Sequence, residues 1–257
     1  MSSQSMLGGK RAIVSGAGKG IGREVAIALA RNGADVAIVS RDSKEITELV
    51  KYIATFGVRA AGVATDVSKG TGAAEIVKEC LLKFGGVDAL VCAAGFPMQD
   101  DLWNKSIQET SAEDFLKVFE VDVLGSFNIV KHALPVMVRQ KRGVIVLFSS
   151  TPAISGYDKG ATYSVAKAAN LGLMKSLASE YGKYGIRAYA IAPGNIQTAR
   201  TFDKLSDEEK VVLQNESPMK RWGAPEEVAN TIVSLVSDNM SFVTGQTIVI
   251  DGGTVML

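Results

Sequence analysis

Short runs of apolar, often β-branched residues, separated by longer amphipathic stretches, constrain what this chain can fold into more than any other feature. The strand-like runs are Arg11–Ser15, Asp35–Ser40, Ala60–Thr65, Asp88–Cys92, Val144–Ser149, Arg187–Ala192 and Thr247–Asp251. Most are continuously apolar instead of alternating, the pattern of strands covered on both faces. Between them apolar residues recur at helical spacing, as in Ile21, Val25, Ala28 and Leu29, which share one helix face. Asp42 followed by Glu45 predicts a capping box opening a second helix, and Pro225 suits the first turn of a helix over Pro225–Ser237. Such strand–helix alternation predicts an α/β fold, a doubly wound parallel sheet with helices on both faces. No repeat, linker or low-complexity segment cuts the 257 residues, so one domain over 1–257 is expected, with 1–6 flexible. Two segments break the rhythm, Phe96–Ser111 and Gln197–Gly223. Both follow strands and belong at the carboxyl edge of the sheet, where open α/β sheets bind ligands.

Composition excludes several classes of function. The chain carries 28 basic and 27 acidic residues, a net charge of +1, so no global field marks a binder of nucleic acid or anionic membranes. The two cysteines, Cys80 and Cys92, fall in a helical pattern and at a strand end, which argues against a disulfide framework. One histidine, His132, and no CxxC pair leave little material for a metal site, and none is expected. His132 reads as structural or solvent-facing and Cys92 as a small buried hydrophobe. The polar Met1–Gly9 start lacks a signal-peptide core, and no apolar stretch approaches the roughly 20 residues of a membrane span. A reducing, cytoplasmic setting is expected.

The first run leads into Ser15-Gly16-Ala17-Gly18-Lys19-Gly20-Ile21-Gly22 and then directly into a helical pattern. Glycines there permit positive φ and close backbone approach, and a helix N-terminus offers N–H groups and a positive dipole end to a pyrophosphate. A strand–glycine loop–helix is the context that a dinucleotide fingerprint of the Rossmann type requires. Such folds commonly hold the ribose 2′-hydroxyl with an acid about 20 positions on. This chain has Ser40-Arg41 there and Lys19 in the loop, two cations that favour a phosphorylated ribose, so NADP(H) is expected over NAD(H). Arg41 as a solvated charge, or Asp42 turned to the ribose, is the alternative.

Tyr163 and Lys167 are i and i+4 in a helical pattern and share one face. A phenol in water keeps its proton to about pH 10; a neighbouring ammonium stabilises the phenolate and opens it to proton relay. Ser150, just past the fifth strand, is placed to hydrogen-bond a substrate oxygen.

Together the loop, Ser150 and Tyr163-xxx-Lys167 resemble the short-chain dehydrogenase/reductase family of compact type, from about Leu7 to Gly253. Asp66-Val67, Ala94-Gly95, Pro193-Gly194 and Asp251-Gly252-Gly253 match as well. The resemblance implies that Gly16, Gly18, Lys19, Gly20, Ile21 and Gly22 cradle the pyrophosphate, with Ser40 and Arg41 at the ribose. It implies that Asp66 and Val67 flank the adenine, and that Ala93 and Gly95 lie along the ribose side. Pro193, Gly194, Ile196 and Thr198 would line the nicotinamide, and Tyr163 and Lys167 would also touch the cofactor. Ser150 would polarise a carbonyl that Tyr163 protonates. Asp122 stands where the family usually has a fourth catalytic residue, an asparagine. It is either that member or a helix-interior carboxylate paired with a nearby cation.

Two further departures are Cys92-Ala93-Ala94-Gly95, where the family often has two asparagines, and Tyr189, where an asparagine is common. The run from Ser217 to Val228 resembles 3-oxoacyl-carrier-protein reductases, and also polyol dehydrogenases and dienoyl-CoA reductases. Reduction of a 3-oxoacyl thioester is the leading expectation, with Lys204, Lys220 and Arg221 either meeting a carrier or CoA phosphate or simply solvated. Phe96, Met98 and Trp103 either line an apolar pocket or cover the domain. A homotetramer is implied by the family, and the tail Val255-Met256-Leu257 suits a subunit contact. A non-catalytic NADP(H) sensor is the reading of another class, disfavoured because Ser150, Tyr163 and Lys167 are all present.

Overall fold

The computed structural model describes residues 5–97, 100–199 and 201–256. Its seven strands are β1 (Arg11–Ser15), β2 (Asp35–Ser40), β3 (Ala60–Ala64), β4 (Ala89–Cys92), β5 (Gly143–Phe148), β6 (Ile186–Pro193) and β7 (Gln246–Ile250). They pair in parallel in the order β3-β2-β1-β4-β5-β6-β7. Each matches an anticipated run, with ends displaced by at most one residue. The order reverses between β1 and β4, which opens a crevice at their carboxyl ends.

Helices α1 (Gly20–Arg31), α2 (Ser43–Ala54) and α10 (Pro225–Val236) cover one face of the sheet. Below them lie Val14, Val36, Ile38, Val91, Val146 and Ile191. Helices α3 (Gly70–Phe84), α6 (Gly125–Gln140) and α8 (Ala161–Tyr181) cover the other, over Ile13, Ala37, Val39, Leu90, Ile145 and Ala190. Alternate residues of every central strand thus enter different layers, yet both layers are apolar, which is why the runs read as continuous. Each fully buried aliphatic side chain contributes about 1.5–3 kcal/mol. Tyr189 is also fully buried. Its hydroxyl accepts from Arg187 at 3.1 Å and donates to the Val243 carbonyl, so this departure from the family pattern ties β6 to the loop before β7.

Three expectations are corrected. The break at Gln197–Gly223 contains α9 (Asp207–Glu216); here Ser206 and Glu209 form a full capping box whose S-x-x-E signature was legible. The shorter α4 (Asp100–Trp103) lies in the break at Phe96–Ser111, and α7 (Pro152–Ser155) follows β5. The Asp42–Glu45 box is only half built: Asp42 accepts from Lys44 N and Glu45 N, and Glu45 turns elsewhere. Finally, α5 (Ala112–Phe119), a π-helical turn (Glu120–Leu124) and α6 form one helix of 29 residues, long and apolar enough to span a membrane by length and composition. Half of its most apolar stretch is buried, packed on α3 and the sheet as a core helix is.

Candidate active site

The end of β1 and the start of α1 build the first part of the site. Ser15 Oγ accepts from Ala94 N at 3.2 Å, which ties the loop after β4 across the crevice. Gly16 has φ +67°, and a Cβ there would stand 2.6 Å from Ala93 O and Ala94 N, so both backbone conformation and space require glycine. Gly18 lies beside the carboxylate of Glu45 and the hydroxyl of Ser40, which would have to move for a Cβ to fit. Lys19 at the N-cap of α1 supplies no capping bond, and the first turn holds no acidic residue. Its N–H groups and the dipole end are therefore left for an anion. The methyl of Thr198, from the loop after β6, lies 3.8 Å from where a Gly20 Cβ would be, so that loop reaches over the cradle. These features fit a dinucleotide pyrophosphate.

Of the residues expected at the ribose, Ser40 is half-buried and Arg41 exposed. Asp42 caps α2 through Oδ1, with Lys44 N at 2.8 Å and Glu45 N at 3.1 Å. Lys19 is not a bare cation: its Nζ stands 2.7 Å from Glu45 Oε1. Asp66 Oδ1 accepts from Ser68 N at 2.9 Å, beside buried Val67. Asn128 of α6 donates to Ser68 O, which anchors this segment.

The reacting groups come from β5, α8 and the π turn. Ser150 Oγ donates to Pro193 O at 3.3 Å, and Ser149 Oγ donates to Lys167 O, which joins the end of β5 to α8 and β6. Tyr163 and Lys167 share one face of α8, the ammonium 5.4 Å from the ring centroid. Lys167 and Asp122 are both buried, and Lys167 Nζ lies 2.6 Å from Asp122 Oδ1. Asp122 Oδ2 accepts from Phe96 N at 2.5 Å. A Cβ on Gly95 would stand 3.4 Å from Asp122 Oδ1 and 3.6 Å from Lys167 Nζ, so the chain passes directly over the pair. The cation-paired reading of Asp122 is therefore realised, and its cation is the lysine of the Tyr/Lys motif. A π turn re-aims side chains relative to a regular helix, and such turns recur at functional sites. Buried Asn170, which sequence reasoning missed, donates to Asp122 O at 3.2 Å and Phe148 O at 3.0 Å.

The far wall follows β6. Gly194 N donates to Ile250 O, and a Cβ at 194 would meet the Asp251 side chain at 2.5 Å. Ile196 is buried and bridges Gly223. Asp251 accepts from Gly253 N and Val255 N, so the Asp-Gly-Gly segment is a braced turn. An apolar pocket beside Tyr163 is lined by Phe96, Pro97, Leu102, Trp103 and Val118. Trp103 meets the Tyr163 ring edge-on at 4.8 Å. Phe96 and Trp103 are thus pocket residues; Met98 and Leu257 lie outside the described residues. Arg221 is paired with Glu227 at 2.6 Å, and Lys220 donates to Asn215 O, so both charges have partners within the chain. His132 is half-buried on α6. Burial pushes the Cys92 thiol up to about 12.

A glycine cradle at the head of α1, facing a hydroxyl, a phenol and a buried ammonium across one crevice, is an arrangement for hydride chemistry on a dinucleotide. Known proteins resemble this chain over 90% or more of their length. The family model for enoyl-(acyl carrier protein) reductase matches residues 16–255. An oxidoreductase of Thermotoga maritima is 40% identical over 251 residues, 96% of this chain and 97% of its own. A 3-oxoacyl-[acyl-carrier-protein] reductase of Staphylococcus aureus is 37% identical, covering 96% of this chain and 98% of its own. The solved 7α-hydroxysteroid dehydrogenase complexed with NADH and 7-oxo glycochenodeoxycholic acid superposes with a TM-score of 0.91 at 30% identity, over 98% of this chain and 97% of that one. A short-chain type dehydrogenase/reductase of Mycobacterium ulcerans gives 0.90 at 30% identity, over 96% and 90%. The chain is an oxidoreductase with a Rossmann-type fold that takes a nicotinamide cofactor. It belongs to the short-chain dehydrogenase/reductase family.

Proposed function

We propose that this chain is an NADP(H)-linked carbonyl reductase whose reaction is carried by Ser150, Tyr163 and Lys167, with 3-oxoacyl thioesters the leading substrate class. The observation that carries it is the buried Lys167 ammonium, paired with Asp122 and 5.4 Å from the Tyr163 ring centroid, at the edge where Ser150 follows β5. Gly16, Gly18, Gly20, Ile21 and Gly22 hold the pyrophosphate; Ser40, Arg41 and Lys19 hold the ribose end. Asp66, Val67, Ala93 and Gly95 take the adenine side, and Pro193, Gly194, Ile196 and Thr198 the nicotinamide side. The bound nicotinamide supplies the hydride. Ser150 Oγ holds the carbonyl oxygen of the substrate, and Tyr163 gives that oxygen its proton. Lys167 steadies the negative charge left on the phenol oxygen, and Asp122 fixes where the ammonium sits. The apolar wall of Phe96, Trp103 and Leu102 suits a substrate with a hydrocarbon portion next to its carbonyl.

Similarity to the 3-oxoacyl-[acyl-carrier-protein] reductases supports the thioester. A second reading, an alicyclic or steroid-like alcohol, is favoured by the ligand named for the superposed 7α-hydroxysteroid dehydrogenase. Assays of acetoacetyl thioesters, alicyclic ketones and sugars with NADPH and NADH, followed by absorbance, separate these readings. Replacement Tyr163→Phe should lower turnover by about 10²–10⁴-fold and leave NADPH binding intact. Unchanged turnover would overturn the catalytic assignment and favour a sensor. The proposed homotetramer is supported by exposed Leu116, Leu124 and Phe127 along the α5–α6 run and by exposed Met256; light scattering after gel filtration checks it.

A further inference from the structure

Glu45 was read from the sequence only as half of a capping box, yet its carboxylate meets the glycine loop at both Gly18 and Lys19. It rises from the first turn of α2, sets its carboxylate beside Gly18, where the Ser40 hydroxyl also lies, and pairs with Lys19 at 2.7 Å. The two partners are unequal in freedom. The Glu45 side chain is 20% exposed and its backbone N–H is tied to Asp42, whereas Lys19 is 85% exposed. The carboxylate is thus the fixed member and the ammonium the one that moves to it.

We propose that Glu45 is a specificity-determining residue that weakens selection for a phosphorylated ribose. This rests on the assignment of Gly18, Lys19, Ser40 and Arg41 to the ribose end. Two effects act in the same direction. Glu45 holds the Lys19 ammonium, one of the two cations that would meet a 2′-phosphate, and it sets a fixed negative charge beside that phosphate. A plain 2′-hydroxyl suffers neither effect and can donate to a carboxylate. Among the other charges of these segments, Arg41 and Lys44 are exposed and Arg23 is paired with Glu24. Discrimination is therefore the balance of Arg41 and Lys19 against Glu45, with a repulsive element included.

Titration calorimetry of the full-length protein with NADPH and with NADH tests this without turnover. In Glu45→Gln the ratio of Kd for NADH to Kd for NADPH should rise about two- to fivefold over wild type, the worth of one exposed ion pair. Adding Lys19→Met to Glu45→Gln should remove much of that gain. A ratio that moves less than twofold or falls in Glu45→Gln, or a gain fully kept in the double variant, overturns the proposal. A wild-type preference for NADH overturns the NADP(H) reading instead; the change on mutating Glu45 still judges this one. Circular dichroism melting of each variant confirms that it is folded.

Discussion

Removal of Asp122 tests the centre of the site most directly. The Lys167 side chain is 8% exposed and its partner 1%, so neither charge has water to fall back on. In Asp122→Ala the ammonium stays buried without its carboxylate, and Phe96 N loses its acceptor. Breaking a buried pair by deleting one partner costs about 3–5 kcal/mol. At about 2–4 °C per kcal/mol for a chain of this size, Tm should fall by about 6–20 °C. Asp122→Asn keeps one oxygen, for the ammonium or for Phe96 N but not for both, so its loss should be smaller, about 1–3 kcal/mol. The double change Asp122→Leu with Lys167→Met removes both charges, and its stability should return to within about 2 kcal/mol of wild type while turnover is lost. Urea unfolding followed by circular dichroism gives all three values. A loss below about 1 kcal/mol in Asp122→Ala would show that Lys167 finds another partner at no cost, and would refute the reasoning.

Three further predictions follow from local geometry. Gly16→Ala places a Cβ 2.6 Å from Ala93 O at φ +67°; NADPH binding measured by calorimetry should weaken at least tenfold and Tm should drop, and wild-type binding would show that the cradle tolerates a side chain. The Arg221 hydrogen bonds hold the Glu227 carboxyl at about 2, below the usual carboxylate range. Because its folded value is depressed, its contribution is complete above about pH 4.3 and is lost as pH falls through about 2. Arg221→Ala should therefore shrink the acid drop in Tm across that window, and an unchanged drop would dismiss the pair. Cys80 and Cys92 are both buried, each thiol pushed up to about 12, so a thiol reagent should label neither in the native protein and both in guanidinium. Prompt native labelling would contradict that burial.

Local signals carried much of the reading. Strand runs, helix faces, the glycine loop and the Tyr163/Lys167 spacing depend on residues within a few positions of one another. Periodicity and backbone chemistry act at that range, and the structure reproduces each of them. Even α9 was legible in its capping box, though the loop-like composition of its surroundings obscured it. The apolar α5–α6 run shows the limit of such signals, since length and hydropathy alone do not distinguish a core helix from a spanning one.

Which charges meet was decided only in three dimensions. The sequence supplied Asp122 and Lys167 as two candidate residues; the π turn and the close pass of Gly95 made them one ion pair. It supplied Lys19 as a cation for the ribose; the packing of α2 against the glycine loop set Glu45 beside it. Trp103 became a wall for Tyr163, and Tyr189 a brace for the loop before β7, through contacts between distant segments. A chain's local pattern specifies its elements because their hydrogen bonds and faces are local. The partners of a buried or half-buried charge depend on which elements the shared core brings together, and that is settled only when the sheet closes under its helices.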